Sequence, residues 1–123
     1  MRRLAWALIA ASTISTANEG GGGAVGEGDF IKMEPFTINL SGGHVIQYVA
    51  QAKLKDAHEK DYVMSFVPLI RFELIKAMIG QDYATVQSPA YMAAFSEKAS
   101  KLINTTLGGD FIKEVFFASW ITQ

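Results

Sequence analysis

The sequence contains no cysteine among its 123 residues. Disulfide bonds, thiolate metal sites and a cysteine nucleophile are therefore excluded together. Basic residues are also few and scattered, with 11 Lys and Arg against 12 Asp and Glu and a formal net charge of -1. Because recognition of nucleic-acid phosphates needs a clustered basic surface, this composition argues against a nucleic-acid partner. Half of the residues are hydrophobic, and the length suits one compact domain with a short appendage.

Long hydrophobic runs are lacking as well. The most apolar stretch, counted generously as residues 4–17, is shorter than the ~20 residues that a membrane-spanning helix needs. Arg2 and Arg3 precede it, and the small residues Ser15 and Ala17 stand where a signal peptidase reads. The pattern predicts that residues 1–17 are a signal peptide cleaved after Ala17. The alternative is a retained membrane anchor, and only then would the protein contact a membrane.

Residues 18–29 are rich in glycine and acidic side chains and contain almost nothing apolar. This composition predicts a flexible linker. A phosphate-binding loop is the other interpretation of a glycine run, but no Gly-Lys-Ser/Thr follows and no strand precedes it. The folded domain is therefore expected over residues 30–123.

The first part of this domain has the pattern of a β-hairpin. Residues 31–40 indicate a strand in which Pro35 confines the first half to an edge or a bulge. Ser41, Gly42 and Gly43 suit a tight turn, and residues 44–55 alternate between apolar and polar. The alternation predicts one dry face, made of Ile46, Tyr48, Ala50, Ala52 and Leu54.

Helical periodicity follows, from Asp56 to Gly80 and again from the Ser88 cap to Leu107. Pro68 lies inside the first helical span, so we expect a kink there or two helices that meet. Residues 111–123 then indicate a terminal strand. The predicted order is β-β-α-α-β, a two-layer α+β domain in which two long helices cover a three-stranded sheet.

The terminal strand is apolar almost throughout. Its large side chains are too costly to leave in water at roughly 1.5–3 kcal/mol each, so all are expected to be buried by pairing in the sheet. These side chains are Val115, Phe116, Phe117, Trp120 and Ile121.

No convergence of nucleophile, base or metal ligands is found, so no catalytic, cofactor-binding or metal-ligating residue is predicted. Arg71 is the only arginine after the signal-like segment, and it is expected at the margin of the buried face, close to Glu73 in sequence and to the sheet edge in space. It is interpreted either as part of an ion pair within the domain or as a contact to a partner, which the planar guanidinium suits. Trp120 points either into this domain or toward a neighbouring subunit. Arg71, Glu73 and Trp120 are thus the candidate interface residues.

Several segments match, in order and spacing, a known family. They are residues 35–40 (PFTINL), the hairpin, residues 68–71 (PLIR) followed by Glu73 and Leu74, the helix that begins at Ser88 and carries Asn104, and the ending VFFASWITQ. Over about residues 31–123 the chain resembles the periplasmic domain of the FliL family of flagellar basal-body-associated proteins.

The resemblance implies a non-enzymatic accessory of the flagellar motor without a cofactor. Members of the family associate with the basal body and with stator complexes, whose periplasmic part is of the MotB type, and support rotation, torque or swarming motility. The resemblance also implies a fold similar to the stomatin-type domain and assembly into a homo-oligomeric ring.

The chain departs from the family in its N-terminal segment, because family members usually carry a long transmembrane anchor. It therefore resembles an exported paralog located in the periplasm. Two alternatives stay open: a general envelope scaffold that uses a stomatin-like domain outside the motor, and a secreted protein that binds or hydrolyses a small ligand.

Overall fold

The computed structural model of the chain describes residues 24–123. The predicted signal peptide, residues 1–17, lies outside the described residues, and so do residues 18–23 of the predicted linker. Residues 24–27, which the sequence pattern assigns to that linker, form a strand that pairs with the next one. A four-residue segment carries little pattern of its own, and the hydrogen bonds to its neighbour define it as a strand.

One antiparallel sheet contains all the strands of the described region. They are β1 (Ala24–Glu27), β2 (Phe30–Met33), β3 (Phe36–Asn39), β4 (Val45–Leu54) and β5 (Ile112–Thr122). The helices α1 (Lys60–Met64), α2 (Val67–Met78), α3 (Tyr83–Val86) and α4 (Pro89–Leu107) come between β4 and β5. The predicted α+β class is confirmed. The predicted three-stranded sheet and the order β-β-α-α-β are wrong, because the sheet has two more strands and two short helices accompany the long ones.

The break between β2 and β3 follows from Pro35. β5 runs along one edge of β4, so β2 and β3 lie end to end along the other edge, and the sheet is four strands across. Phe36 lies six positions after Phe30, whereas their partners Tyr48 and Lys53 are five positions apart. One extra residue is therefore accommodated around Pro35, as in a β-bulge. The prediction of an edge or bulge at Pro35 is confirmed.

The dry face of the predicted hairpin is confirmed, because all five of its β4 residues are buried. They share the core with the buried side of the helices, whose residues are Val63, Val67, Ile70, Leu74, Met78, Val86, Phe95, Ala99, Ile103 and Leu107. The helices thus cover one face of the sheet.

Helix boundaries follow local chemistry. Pro68 lies in the first turn of α2, where its missing N–H removes no helical hydrogen bond. Of the two predicted possibilities, the meeting of two helices is confirmed. The backbone N–H of Tyr91 donates to Ser88 Oγ at 3.1 Å, which confirms the predicted cap of α4. Gly108 ends α4 with a φ of 81°, a conformation that favours glycine.

A bulge in β5 determines which side chains face the helices. Gln47 and Val49 are two residues apart, but their partners Ile121 and Ala118 are three apart. The extra residue lies beside Ser119, whose φ of 55° is in the left-handed region. Because of this extra residue, Phe117 and Trp120 both face the helices although they are three positions apart. In a regular strand that spacing would place them on opposite faces.

The terminal strand is confirmed, but its predicted burial is only partly right. Val115 is buried and Phe117 and Trp120 are partly buried against the core. Phe116 is 41% exposed and Ile121 is 49% exposed, so the expectation that all five large side chains are buried is wrong. These two lie on the outer face of β5, which no helix of the described region covers.

Candidate interaction surfaces

Asn104 ties the end of α4 to the beginning of β5. Its Oδ1 accepts hydrogen bonds from the backbone N–H groups of Phe111 at 2.9 Å and Ile112 at 2.8 Å. Its Nδ2 donates to the carbonyl of Ile112 at 3.2 Å. One side-chain amide therefore satisfies three backbone groups where the chain enters the strand, and it fixes β5 against the helix layer.

Trp120 lies inside an aromatic cluster between β5 and the helices. Its ring stacks on Tyr48 with centroids 5.3 Å apart and meets Phe117 edge to face at 5.2 Å. The indole Nε1 donates to the carbonyl of Val86 at 3.0 Å. These contacts direct Trp120 into its own domain, although part of its surface stays accessible.

Tyr48 is the centre of this cluster, and it is 1% exposed. It stacks on Phe36 at 4.7 Å, and its hydroxyl has no hydrogen-bond partner among the described residues. Burial raises the pKa of the Tyr48 hydroxyl above its ordinary value, because the charged form would lose its hydration. The ring therefore contributes packing, whereas the hydroxyl carries a desolvation cost.

Arg71 reaches from α2 to the bulge in the edge strand. Its Nη1 donates to the carbonyl of Glu34 at 2.7 Å and its Nη2 to the carbonyl of Pro35 at 3.1 Å. The guanidinium also lies over the Phe36 ring, 4.1 Å from its centroid. Partial burial lowers the pKa of Arg71. The planar guanidinium thus donates hydrogen bonds to two carbonyls in the break between β2 and β3, and it points into the domain.

Glu73 lies on the same helix but has a different neighbour. Its carboxylate is 3.5 Å from Lys76 Nζ, one turn further along α2. Arg71 and Glu73 are not paired with each other, and Trp120 lies at the other strand edge. The structure does not bring the three candidate interface residues together, and their role in an interface stays a prediction.

An exposed apolar strip along α2 was not predicted from the sequence. The strip consists of Leu69 and Phe72 on α2 and of Ile79 directly after its last residue, which are 47%, 56% and 53% exposed. These residues follow helical spacing, just as the buried face of the same helix does. A helix with two apolar faces was therefore detectable from the residues left over once the buried face had been assigned. We call this surface the α2 strip.

A second exposed apolar surface lies on the opposite side of the domain. On the outer face of the sheet, the rings of Phe116 and Phe30 are 6.2 Å apart, and Ile121 is exposed on the same face of β5. Lys53 Nζ lies 4.7 Å from the Phe30 centroid. We call Phe30, Phe116 and Ile121 the outer patch. Exposed apolar surfaces of this kind mark contacts with other molecules.

The described residues contain no group of three or more side chains placed to hold a metal ion. Within residues 24–123, no helix is both long enough and apolar enough to cross a bilayer.

The described region is thus a small two-layer α+β domain with exposed apolar side chains on both of its sides. The family model of the flagellar basal body-associated protein FliL matches residues 30–123. The match covers more than half of the chain, so the chain belongs to the FliL family. It is accordingly an accessory protein associated with the flagellar basal body. Comparison with curated proteins finds no matching sequence.

Proposed function

We propose that this protein works in the periplasm as an accessory of the flagellar motor, in contact with the stator complex. In this role it supports rotation, torque or swarming without catalysing a reaction. The observation that carries the proposal is the FliL match over residues 30–123. The α2 strip and the outer patch support it, because a protein that acts by contact needs exposed apolar surface.

The proposal includes a path to the periplasm. Residues 1–17 act as a signal peptide that is cut after Ala17, residues 18–23 connect it to the domain, and the domain that begins with β1 works in the periplasm. Intact mass of the protein from a periplasmic extract tests this division. A species that begins at Asn18 supports it, and a species that retains residues 1–17 in the membrane fraction contradicts it.

The proposed partners are the MotB-type periplasmic region of the stator and further copies of this chain, arranged in a ring that resembles a stomatin-type assembly. The two apolar surfaces lie on opposite sides of the domain, so one can meet a neighbouring copy while the other meets the stator. Arg71, Glu73 and Trp120 remain candidate interface residues of this assembly.

Deletion of the gene tests the function directly. We expect weaker swimming in viscous medium or loss of swarming, restored by the wild-type gene. Leu69→Ser combined with Phe72→Ser removes the apolar character of the α2 strip without touching the core, so this variant should fold but fail to restore motility. Thr37→Ser, an exposed change on β3, is the matched control and should restore it.

Co-purification with flagellar basal bodies distinguishes the motor from the general envelope scaffold. Unchanged motility of the deletion strain, together with absence of the protein from purified basal bodies, would contradict the proposed function.

A further inference from the structure

The register of the sheet determines which backbone groups of β3 face its free side. β3 pairs with β4 on one side, and no strand of the described region lies on the other. The N–H of Leu40 donates to the carbonyl of His44 at 2.8 Å, directly after the last paired residue. Because hydrogen-bonded and non-hydrogen-bonded pairs alternate in an antiparallel ladder, Ile38 also bonds to β4. The N–H and C=O groups of Thr37 and Asn39 therefore point away from β4, to the free edge.

Helix α2 contacts this edge at both of its ends. At one end, Arg71 donates to the carbonyls of Glu34 at 2.7 Å and Pro35 at 3.1 Å. At the other end, the backbone N–H of Gly80 donates to the carbonyl of Asn39 at 2.9 Å. Four positions of extended chain separate Pro35 from Asn39, a length of about 13 Å. The nine positions from Arg71 to Gly80 cover about the same length along a helix, so α2 runs beside the whole edge of β3.

Only a short part of the edge stays open between these two contacts. Within residues 24–123, the N–H and C=O of Thr37 and the N–H of Asn39 have no hydrogen-bond partner, and Thr37 is exposed. An added strand needs a row of such groups at every second residue. The guanidinium of Arg71 lies where that strand would meet the carbonyl of Pro35, so the row is interrupted.

We propose that Arg71 is a gatekeeper, a side chain that prevents an extended segment of another chain from pairing with β3. Its planar guanidinium bonds two carbonyls at once, which the single ammonium of a lysine does not match. The group also lies 4.1 Å from the centroid of the Phe36 ring, which holds it against the edge. Charged side chains are a general means of blocking strand addition at a sheet edge. This role is independent of the proposed function, because it concerns an association that the domain avoids.

Amide hydrogen exchange in dilute protein tests the direction of the backbone groups. The N–H groups of Ile38 and Leu40 should be protected by β4, whereas that of Thr37 should exchange at least about 100-fold faster because it has no partner. Slow exchange at Thr37 would mean that another segment already covers the edge, and it would overturn the inference.

Removal of the guanidinium tests the gatekeeper itself. Arg71→Met loses both hydrogen bonds and keeps an unbranched side chain against Phe36. At equal concentration we expect a weight-average mass at least about twice that of wild type by sedimentation equilibrium, because the edge becomes free to pair. Arg71→Lys can bond only one of the carbonyls and should lie between the two. Lys98→Met, which removes an exposed charge on α4, is the matched control and should behave as wild type.

Thr37→Pro separates edge pairing from unfolding. The N–H of Thr37 points away from β4, so proline removes a free donor without breaking the ladder, and edge strands tolerate proline. The double variant Arg71→Met/Thr37→Pro should therefore return to the mass of wild type, whereas aggregation caused by unfolding would persist in it. Circular dichroism checks that each variant is folded.

Two further results would overturn the inference: a folded Arg71→Met that associates no more than wild type, or a double variant that associates as strongly as Arg71→Met. If Arg71→Met does not fold, Arg71→Lys decides, and a mass equal to wild type then counts against the gatekeeper. Motility enters none of these measurements, so the inference and the proposed function can fail separately.

Discussion

Phe116 and Phe117 are adjacent and chemically identical, yet they lie on opposite faces of β5. Phe117 packs against Tyr48 at 5.1 Å and Phe95 at 5.6 Å between ring centroids, within the core-side aromatic cluster. Phe116 is 41% exposed and has Phe30 as its aromatic neighbour on the open side of the sheet. The inner face of the strand therefore stabilises the fold, whereas much of the apolar area of the outer face stays in water.

The difference separates two uses of hydrophobic residues. Burial of apolar area contributes roughly 25 cal/mol per Å² only where the area leaves water on folding. The exposed part of Phe116 and Ile121 gains nothing in the monomer and remains available for association. The same contrast exists within α2, between its buried face and the α2 strip. Mutations on the two faces of one element should therefore affect different measurements.

The largest expected effect comes from removing both faces of β5 together. Truncation after Glu114 deletes most of the strand that pairs along β4 and exposes the core beneath it. We expect the truncated chain to be unfolded by circular dichroism and sensitive to protease. Deletion of Gln123 alone, which removes the terminal pairing with Val45 and the contact of its carbonyl with His44 Nδ1, is the control and should leave a folded protein.

Substitution of Trp120 tests how much the inner face of β5 alone contributes to stability. Trp120→Ala should lower the free energy of unfolding by about 3 kcal/mol, since it leaves a cavity beside Tyr48 and an unpaired Val86 carbonyl. Denaturant unfolding measures this value. Trp120→Phe keeps an aromatic ring in the cluster but loses the hydrogen bond and part of the ring volume, so a smaller loss of about 2 kcal/mol is expected. An unfolding curve equal to wild type for Trp120→Ala would place the ring outside the core.

Asn104 tests how the inner face is held against α4. Asn104→Ala leaves three backbone groups without their partner and should cost about 2 kcal/mol of unfolding free energy. The matched control is Thr105→Ala, an exposed neighbour on the same helix, which should change stability by less than about 0.5 kcal/mol. Equal effects of the two substitutions would contradict the assigned role of the amide.

Tyr48→Phe measures what the buried Tyr48 hydroxyl costs in unfolding free energy. It removes a hydroxyl without a partner in the described region and keeps the ring, so stability at neutral pH should stay equal or rise by about 1 kcal/mol. Because burial raises the pKa in the folded state, the unfolded chain loses this proton first, and wild-type stability should fall above about pH 10. Unfolding curves against pH should show a weaker alkaline decline for Tyr48→Phe than for wild type.

The outer face should give the smallest change in stability. Phe116→Ser and Ile121→Ser should each lower the unfolding free energy by about 1 kcal/mol or less, because about half of each side chain stays in water in the folded domain. Self-association or stator binding should weaken instead, as measured by sedimentation or pull-down. A large loss of stability in the monomer would remove the distinction between the two faces.

Local chemistry explains which parts of the fold the sequence pattern predicts. The break at Pro35, the caps at Ser88 and Gly108 and the dry face of β4 each follow from a residue's own backbone or side chain. The bulge at Ser119 has no such signal, because no glycine marks its positive φ. A strict alternation therefore fails beyond Phe117. β1 could not be predicted either, because its hydrogen bonds to β2, and not its own four residues, define it as a strand.

The candidate interface residues show the same limit. The position of Arg71 near the sheet edge could be predicted, but its partners are the backbone carbonyls of Glu34 and Pro35, which no side chain in the sequence identifies. Exposure of Phe116 depends on which face of the sheet the helices cover, and that is a property of the tertiary fold. In contrast, the α2 strip could have been predicted from helical spacing alone.

The amide of Asn104 has a consequence for the order of folding. Its hydrogen bonds close a loop of only eight residues, whereas the pairing of Gln51 with Phe116 joins positions 65 residues apart. Contacts of short sequence separation lose less chain entropy on closing. The helix end and the beginning of the last strand can therefore form one unit early, and the sheet is completed when that unit docks along β4.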